Sequence, residues 1–208
     1  MNRKLILFVL VVGVASVFVA SCQNESEENR AVVTVASING NLPFFSDVIE
    51  QGDTLYFPSF PTPYLADDFV REDFVVVGFY NRPYNNFTTT GVGKPLSDFL
   101  ITRYMVEYRR ADGGPADEVP PTFEGATSVL VPSNSLVEAA VLLCPYEVKN
   151  TSPLWDISYL GANWPDEILT IATITFWGHE VGTNREWSLQ ASLTVNFADP
   201  VVETKDDF

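Results

Sequence analysis

The 208-residue chain sets 12 Lys and Arg against 27 Asp and Glu, a formal net charge of −15. A surface this acidic repels phosphate, which excludes a protein that grips the nucleic-acid backbone and one held electrostatically on anionic lipid. The two cysteines, Cys22 and Cys144, form no CxxC or CxxCH pair, so thioredoxin-like chemistry, a four-cysteine zinc site and covalent haem have no support.

At the N-terminus, Arg3 and Lys4 precede the uncharged run Leu5–Val19, interrupted only by Gly13 and Ser16. A membrane-spanning helix needs about 20 apolar residues, so this run is short for a span and fits the apolar core of a secretory signal. The polar, acidic stretch Gln23–Asn29 follows at once. Between them, Val19-Ala20-Ser21-Cys22 resembles a bacterial lipobox, with Val19 in the branched apolar position and Ala20 and Ser21 in the small ones. The resemblance implies that residues 1–21 are a lipoprotein signal peptide. It makes Cys22 the new N-terminus, carrying a thioether-linked diacylglycerol and an acylated (palmitate-type) amine. Each buried CH₂ contributes about 0.8 kcal/mol, so several acyl chains anchor durably where one would not. In Gram-negative lipoproteins an Asp after the cysteine commonly retains the protein in the inner membrane. Gln23 stands there, which implies the outer membrane, on its periplasmic or its surface face. Residues 22–30 read as a flexible tether. Loss of Arg3 and Lys4 with the signal makes the mature chain more acidic still, which suits solubility, or a basic or divalent-cation partner.

Strand signals begin at Ala31–Ile38, which alternates loosely, and Thr54–Phe57, which is short. Asp73–Tyr80 is apolar on both faces, as expected of a central strand. Phe99–Arg110 places Leu100, Tyr104, Val106 and Tyr108 on one face, with Arg103, Glu107 and Arg109 opposite, and stops at the turn Asp112-Gly113-Gly114. Phe123–Val131 is another strand. Leu136–Val148 reads as a strand, favoured by Pro145, Tyr146 and Val148 over a short helix Leu136–Cys144 capped by Ser133 or Asn134. Ile168–Trp177 is rich in β-branched and aromatic residues. In Trp187–Phe197 every odd position is apolar and every even one polar, the pattern of a strand with one face in a core. The intervening GHEVGTNRE (178–186) supplies turn residues, so the two form a long hairpin.

These signals predict one all-β domain over residues 31–198, an antiparallel β-sandwich of about seven to nine strands. Two long loops, 58–72 and 149–167, account for its size, and residues 199–208 form an acidic tail. The pattern resembles the immunoglobulin and fibronectin type III superfamily, most closely in RYMVEYRRADGG and the C-terminal hairpin. That resemblance implies an immunoglobulin-like sandwich, although the chain carries no Cys…Trp…Cys framework and no tyrosine corner can be placed.

Catalytic signals are weak. His179 is the single histidine and falls in the predicted turn, where a wet loop does not hold a base against a nucleophile. No G-x-S-x-G elbow, HExxH or P-loop is present. Glycosidase chemistry needs two carboxylates about 5–10 Å apart across a sugar, which strand spacing does not specify. Two oxygen-rich clusters, Asp67, Asp68, Glu72 and Asp73, and Asp112, Asp117 and Glu118, lack the D-x-[DN]-x-[DN]-G spacing of a calcium loop and read as solvated acidic faces. Cys144, beside Val141, Leu142 and Leu143, reads as a small buried hydrophobe. The expectation is therefore a non-enzyme without cofactor or metal.

Aromatic loops are the most suggestive surface. Trp155, Tyr159 and Trp164 lie in SPLWDISYLGANWPDE, and YFPSFPTPY (56–64) carries four more rings. Such rings either anchor a partner or stack on sugars, or fold back to cap the ends of the sandwich; capping is the favoured reading. The sequence thus points to a lipid-anchored envelope module acting by protein–protein contact or surface assembly. The alternative is a glycan-binding lipoprotein using Trp155, Tyr159 and Trp164.

Overall fold

Alternation of apolar and polar residues gives the C-terminal hairpin one dry and one wet face, and two sheets assemble around it. The computed structural model describes residues 31–49, 54–55, 64–65, 70–83, 97–163, 166–182 and 186–199. The signal 1–21, the tether 22–30 with Cys22, most of the first long loop with Asp67 and Asp68, Trp164 and residues 200–208 lie outside them. The described strands are β1 Ala31–Ile38, β2 Phe44–Asp47, β3 Thr54–Leu55, β4 Tyr64–Leu65, β5 Asp73–Pro83, β6 Phe99–Arg110, β7 Phe123–Val131, β8 Ser135–Cys144, β9 Ile168–Glu180 and β10 Glu186–Ala198.

A three-stranded sheet, β1-β5-β8, faces a five-stranded sheet, β2-β10-β9-β6-β7, and β3 pairs with β4. The fold is all-β and sandwich-like. Its core lies between the two large sheets, where Phe79 of β5 meets Phe176 of β9 edge to face with centroids 5.0 Å apart. Further along, the Tyr108 ring of β6 packs on Phe197 of β10 at 5.7 Å. The Tyr108 hydroxyl donates across the sandwich to the Leu143 carbonyl of β8.

Four local features differ from the sequence reading. First, the larger sheet is mixed, because β2 runs parallel to β10, with Phe44 opposite Val195. The run Asn39-Gly40-Asn41 takes positive φ at all three residues, a left-handed path that Asn and Gly tolerate. It carries the chain from one sheet into the other without reversing it. Only four residues long and preceded by Pro43, β2 leaves little trace in the sequence.

Second, a bulge between Ile101 and Arg103 moves the first residues of β6 to the other face. Phe99 and Ile101 enter the core, and Leu100, expected beside Tyr104, points away from it. Third, the strand expected to reach Val148 stops at Cys144. Pro145 has no N–H to continue the ladder; its carbonyl instead accepts from the Val148 and Lys149 amides at 3.1 and 3.3 Å, closing a helical turn, Tyr146–Lys149. A second turn, Leu154–Ile157, lies in the expected loop 149–167, with Leu154 and Ile157 buried. Fourth, His179 is a strand residue rather than a turn residue. β6 pairs along β9 as far as Phe99 opposite Glu180, which holds the hairpin strands together further than their own turn signals suggest.

Candidate interaction surface

Side chains on a strand alternate between faces, so register alone identifies which residues share the outer surface of β1-β5-β8. Phe74 stands opposite Leu142, Val76 opposite Ala140, Gly78 opposite Glu138 and Tyr80 opposite Leu136. Their neighbours Val75, Val77 and Phe79 point inward and are buried. Outside, Phe74 is 53 % exposed, Val76 50 % and Leu136 58 %. The face is thus apolar and wet, with Glu138 as the charge in its middle.

Gly78 shapes it. A Cβ there would meet Ser37 Oγ at 2.6 Å, and the Leu136 Cδ1 atom lies 3.7 Å from that position. Ser37, at the β1 bulge after Val35, takes the space a side chain at Gly78 would need, and Leu136 lies against it.

The opposite sheet presents different chemistry. Ser188, Gln190, Ser192 and Thr194 face outward from β10 beside Thr173 and Thr175 of β9. They bond to one another, Thr173 with Ser192 at 3.2 Å and Gln190 to Thr175 at 3.1 Å. Where this face carries a large ring, Trp177, the Arg103 guanidinium covers it at 4.3 Å from the centroid and pairs with Glu186 at 3.1 Å. The β9–β10 centre of this face is therefore hydrogen-bonded to itself and screened, with exposed apolar side chains at its edges, Phe45 on β2 (76 %) and Leu130 on β7 (49 %).

The loop aromatics lie elsewhere. Trp155 and Tyr159 are half-buried and pack against the core, and the Tyr159 amide donates to Asp199 Oδ2 at 2.7 Å. The two rings sit where a cap would, and Trp164 is outside the described residues. Beside their loop opens a polar cleft of about 270 Å³, lined by Arg110, Glu118, Ser152, Asp156, Asn163 and Asp166 among others. Its cation is already engaged: Arg110 holds Asp112 through two bonds of 2.8 and 2.7 Å. Those bonds raise the guanidinium pKa and drag the Asp112 carboxyl below the usual carboxylate range.

Among the described residues, no group of three or more His, Cys, Asp and Glu side chains is arranged to hold a metal ion. Asp73 of the first acidic cluster is instead bound by Lys149 Nζ at 2.8 Å, and Asp112 of the second by Arg110. Burial pushes the Cys144 thiol up to about 12, so at neutral pH it is no thiolate nucleophile. Lys149 is the residue sequence reading missed. It looked like the first residue of a loop, and its only local signal is a basic side chain closing a short helical turn. No helix among the described residues is long and apolar enough to cross a membrane. No protein-family model matches the chain, and no curated protein matches its sequence.

Proposed function

We propose that the protein is a non-enzymatic, lipid-anchored module of a bacterial cell envelope, held in the outer membrane through Cys22 and acting by protein–protein contact. The observation that carries this reading is the apolar outer face of β5 and β8, where Phe74, Val76 and Leu136 are half or more exposed, set against the hydrogen-bonded Ser, Thr and Gln at the centre of the other sheet. Contiguous exposed apolar surface on a soluble domain marks an interaction site. β8 also has no neighbour on its outer edge among the described residues, so a partner strand could extend the sheet there.

The immunoglobulin-like part of the reading is supported by strand order. β1, β5 and β8 take the places of strands A, B and E, and β10, β9 and β6 those of G, F and C, with β7 beside C. Where antibody domains place a disulfide between B and F, the Phe79–Phe176 pair joins the same two strands.

The test compares the wild-type protein with a Val76→Lys, Leu136→Lys double variant, each recovered from detergent-solubilised envelopes. Both positions are exposed, so the variant keeps its stability within about 0.5 kcal/mol per site. A stoichiometric partner captured by the wild type is lost from the variant. Equal capture by both, or the bait alone from both, overturns the assignment of this face. Fractionation with Cys22→Ala checks the anchor: the domain leaves the membrane fraction if Cys22 holds it.

A glycan-binding reading through Trp155, Tyr159 and Trp164 is favoured by one observation, the polar cleft beside their loop, whose carboxylates and amide suit sugar hydroxyls. Tryptophan fluorescence titrated with a glycan panel tests it, and flat curves throughout dismiss it.

A further inference from the structure

Lys149 is 1 % exposed, a burial lysine accepts only when its charge is answered or removed. Its Nζ lies 2.8 Å from Asp73 Oδ1 and 2.6 Å from the Asp47 carbonyl oxygen. The other Asp73 oxygen, Oδ2, accepts a hydrogen bond of 2.6 Å from the hydroxyl of Ser46, itself 2 % exposed. Cys144 and Tyr108 stand nearby, and burial keeps both protonated. An amine and a carboxyl group are thus in contact in a dry pocket, and each carboxylate oxygen has a different donor.

We propose that Lys149 and Asp73 become joined by an intramolecular isopeptide bond, formed by the folded protein without a further reactant. Within the ion pair, a proton passes from the Lys149 ammonium to Asp73 Oδ1, leaving a neutral amine beside a neutral carboxyl group. The nitrogen lone pair attacks Asp73 Cγ, and the Nζ–Cγ bond forms. Charge collects on Oδ2, where the Ser46 hydroxyl already donates, as a preorganised oxyanion donor should. A second proton moves from nitrogen to Oδ1, the Cγ–Oδ1 bond breaks, and Oδ1 departs as water. Ammonium and carboxylate become amide and water, so atoms and charge balance.

Two physical terms favour the step. Reactants fixed in contact reach effective molarities of about 10⁵–10⁸ M, and the pocket that excludes water opposes hydrolysis of the product. Asp73 retains 12 % side-chain exposure, an exit for the departing water. The link would join the first residue of β5 to the helical turn after β8. It would staple a domain whose single cysteine, Cys144, has no second cysteine within residues 31–208 to pair with.

Mass spectrometry of tryptic peptides from the full-length membrane-expressed protein tests this, with cooperative thermal unfolding recorded first to show that the sample is folded. Trypsin does not cut after an acylated lysine or before proline, so the bond yields peptide 72–103 joined to 111–185, lighter than their sum by one water. Lys149→Arg keeps the charge but offers no comparable nucleophile, and should yield the separate peptides. Free 72–103 together with cleavage after Lys149 in the folded wild type overturns the proposal. So does a joined peptide that persists in Lys149→Arg.

Discussion

Lys149 shows how much one residue's setting can depart from its local sequence. Buried beside Asp73, Ser46 and the Asp47 carbonyl, it ties the ends of β2 and β5 to the turn that follows β8. Relative to the unlinked ion pair, Lys149→Met removes the cation facing Asp73 while keeping the volume. Breaking a buried pair from one side costs about 3–5 kcal/mol, which urea unfolding will show as a lower midpoint at unchanged slope. Asp112 is a surface counterpart with a pH signature. Arg110 and the Gly114 amide lower its carboxyl pKa in the folded protein. Its contribution is therefore complete above the unfolded value of about 3.9 and is lost as the pH falls through the lower folded value. Melting temperature plotted against pH should fall more steeply for the wild type than for Asp112→Asn once the pH drops below about 4.

At the scale of elements, the sheets are held by cross-strand fits that alternation alone does not specify. On the inner face of β7, Gly125 stands opposite Tyr104, and a Cβ at Gly125 would lie 2.3 Å from Tyr104 Cζ. The ring occupies the space the glycine leaves, and Phe123 meets it edge to face at 6.2 Å. Gly125→Ala should therefore destabilise, against the usual benefit of replacing glycine in a strand. Overpacking of this kind costs about 1–3 kcal/mol, measurable by calorimetry. The hairpin β9–β10 was plain in the sequence because its alternation runs unbroken from Trp187 to Phe197. β6 was half legible: its existence was clear, but the bulge at Thr102 that turns Phe99 and Ile101 inward has no local signal. β2 escaped, since four residues offer too few periods to read.

For the whole molecule, the decisive contacts join distant parts of the chain. β10 pairs with β2 over Val195–Ala198 and with β9 along its length, and it contributes Val195 and Phe197 to the core. Removing residues 183–208 exposes an edge of β9 and the inner faces beneath β1, so the shortened chain should show no cooperative unfolding transition by circular dichroism. In the intact protein such non-local pairing must pay loop-closure entropy before it gains contacts, which places folding in about the millisecond-to-second range.

Strand periodicity and turn residues were enough to establish the all-β class, because each is a property of neighbours along the chain. They also bounded its chemistry: one histidine and an isolated buried cysteine are counts, not geometries. Which apolar strand face would remain wet could not be read this way. Asp73–Tyr80 is apolar on both sides, and only the two-sheet packing sends Val75, Val77 and Phe79 into the core while leaving Phe74 and Val76 outside. The meeting of Lys149 with Asp73 is equally a tertiary event. It joins residues separated by three intervening strands, and burial and proximity across that distance are created by closure of the sandwich rather than by any local pattern.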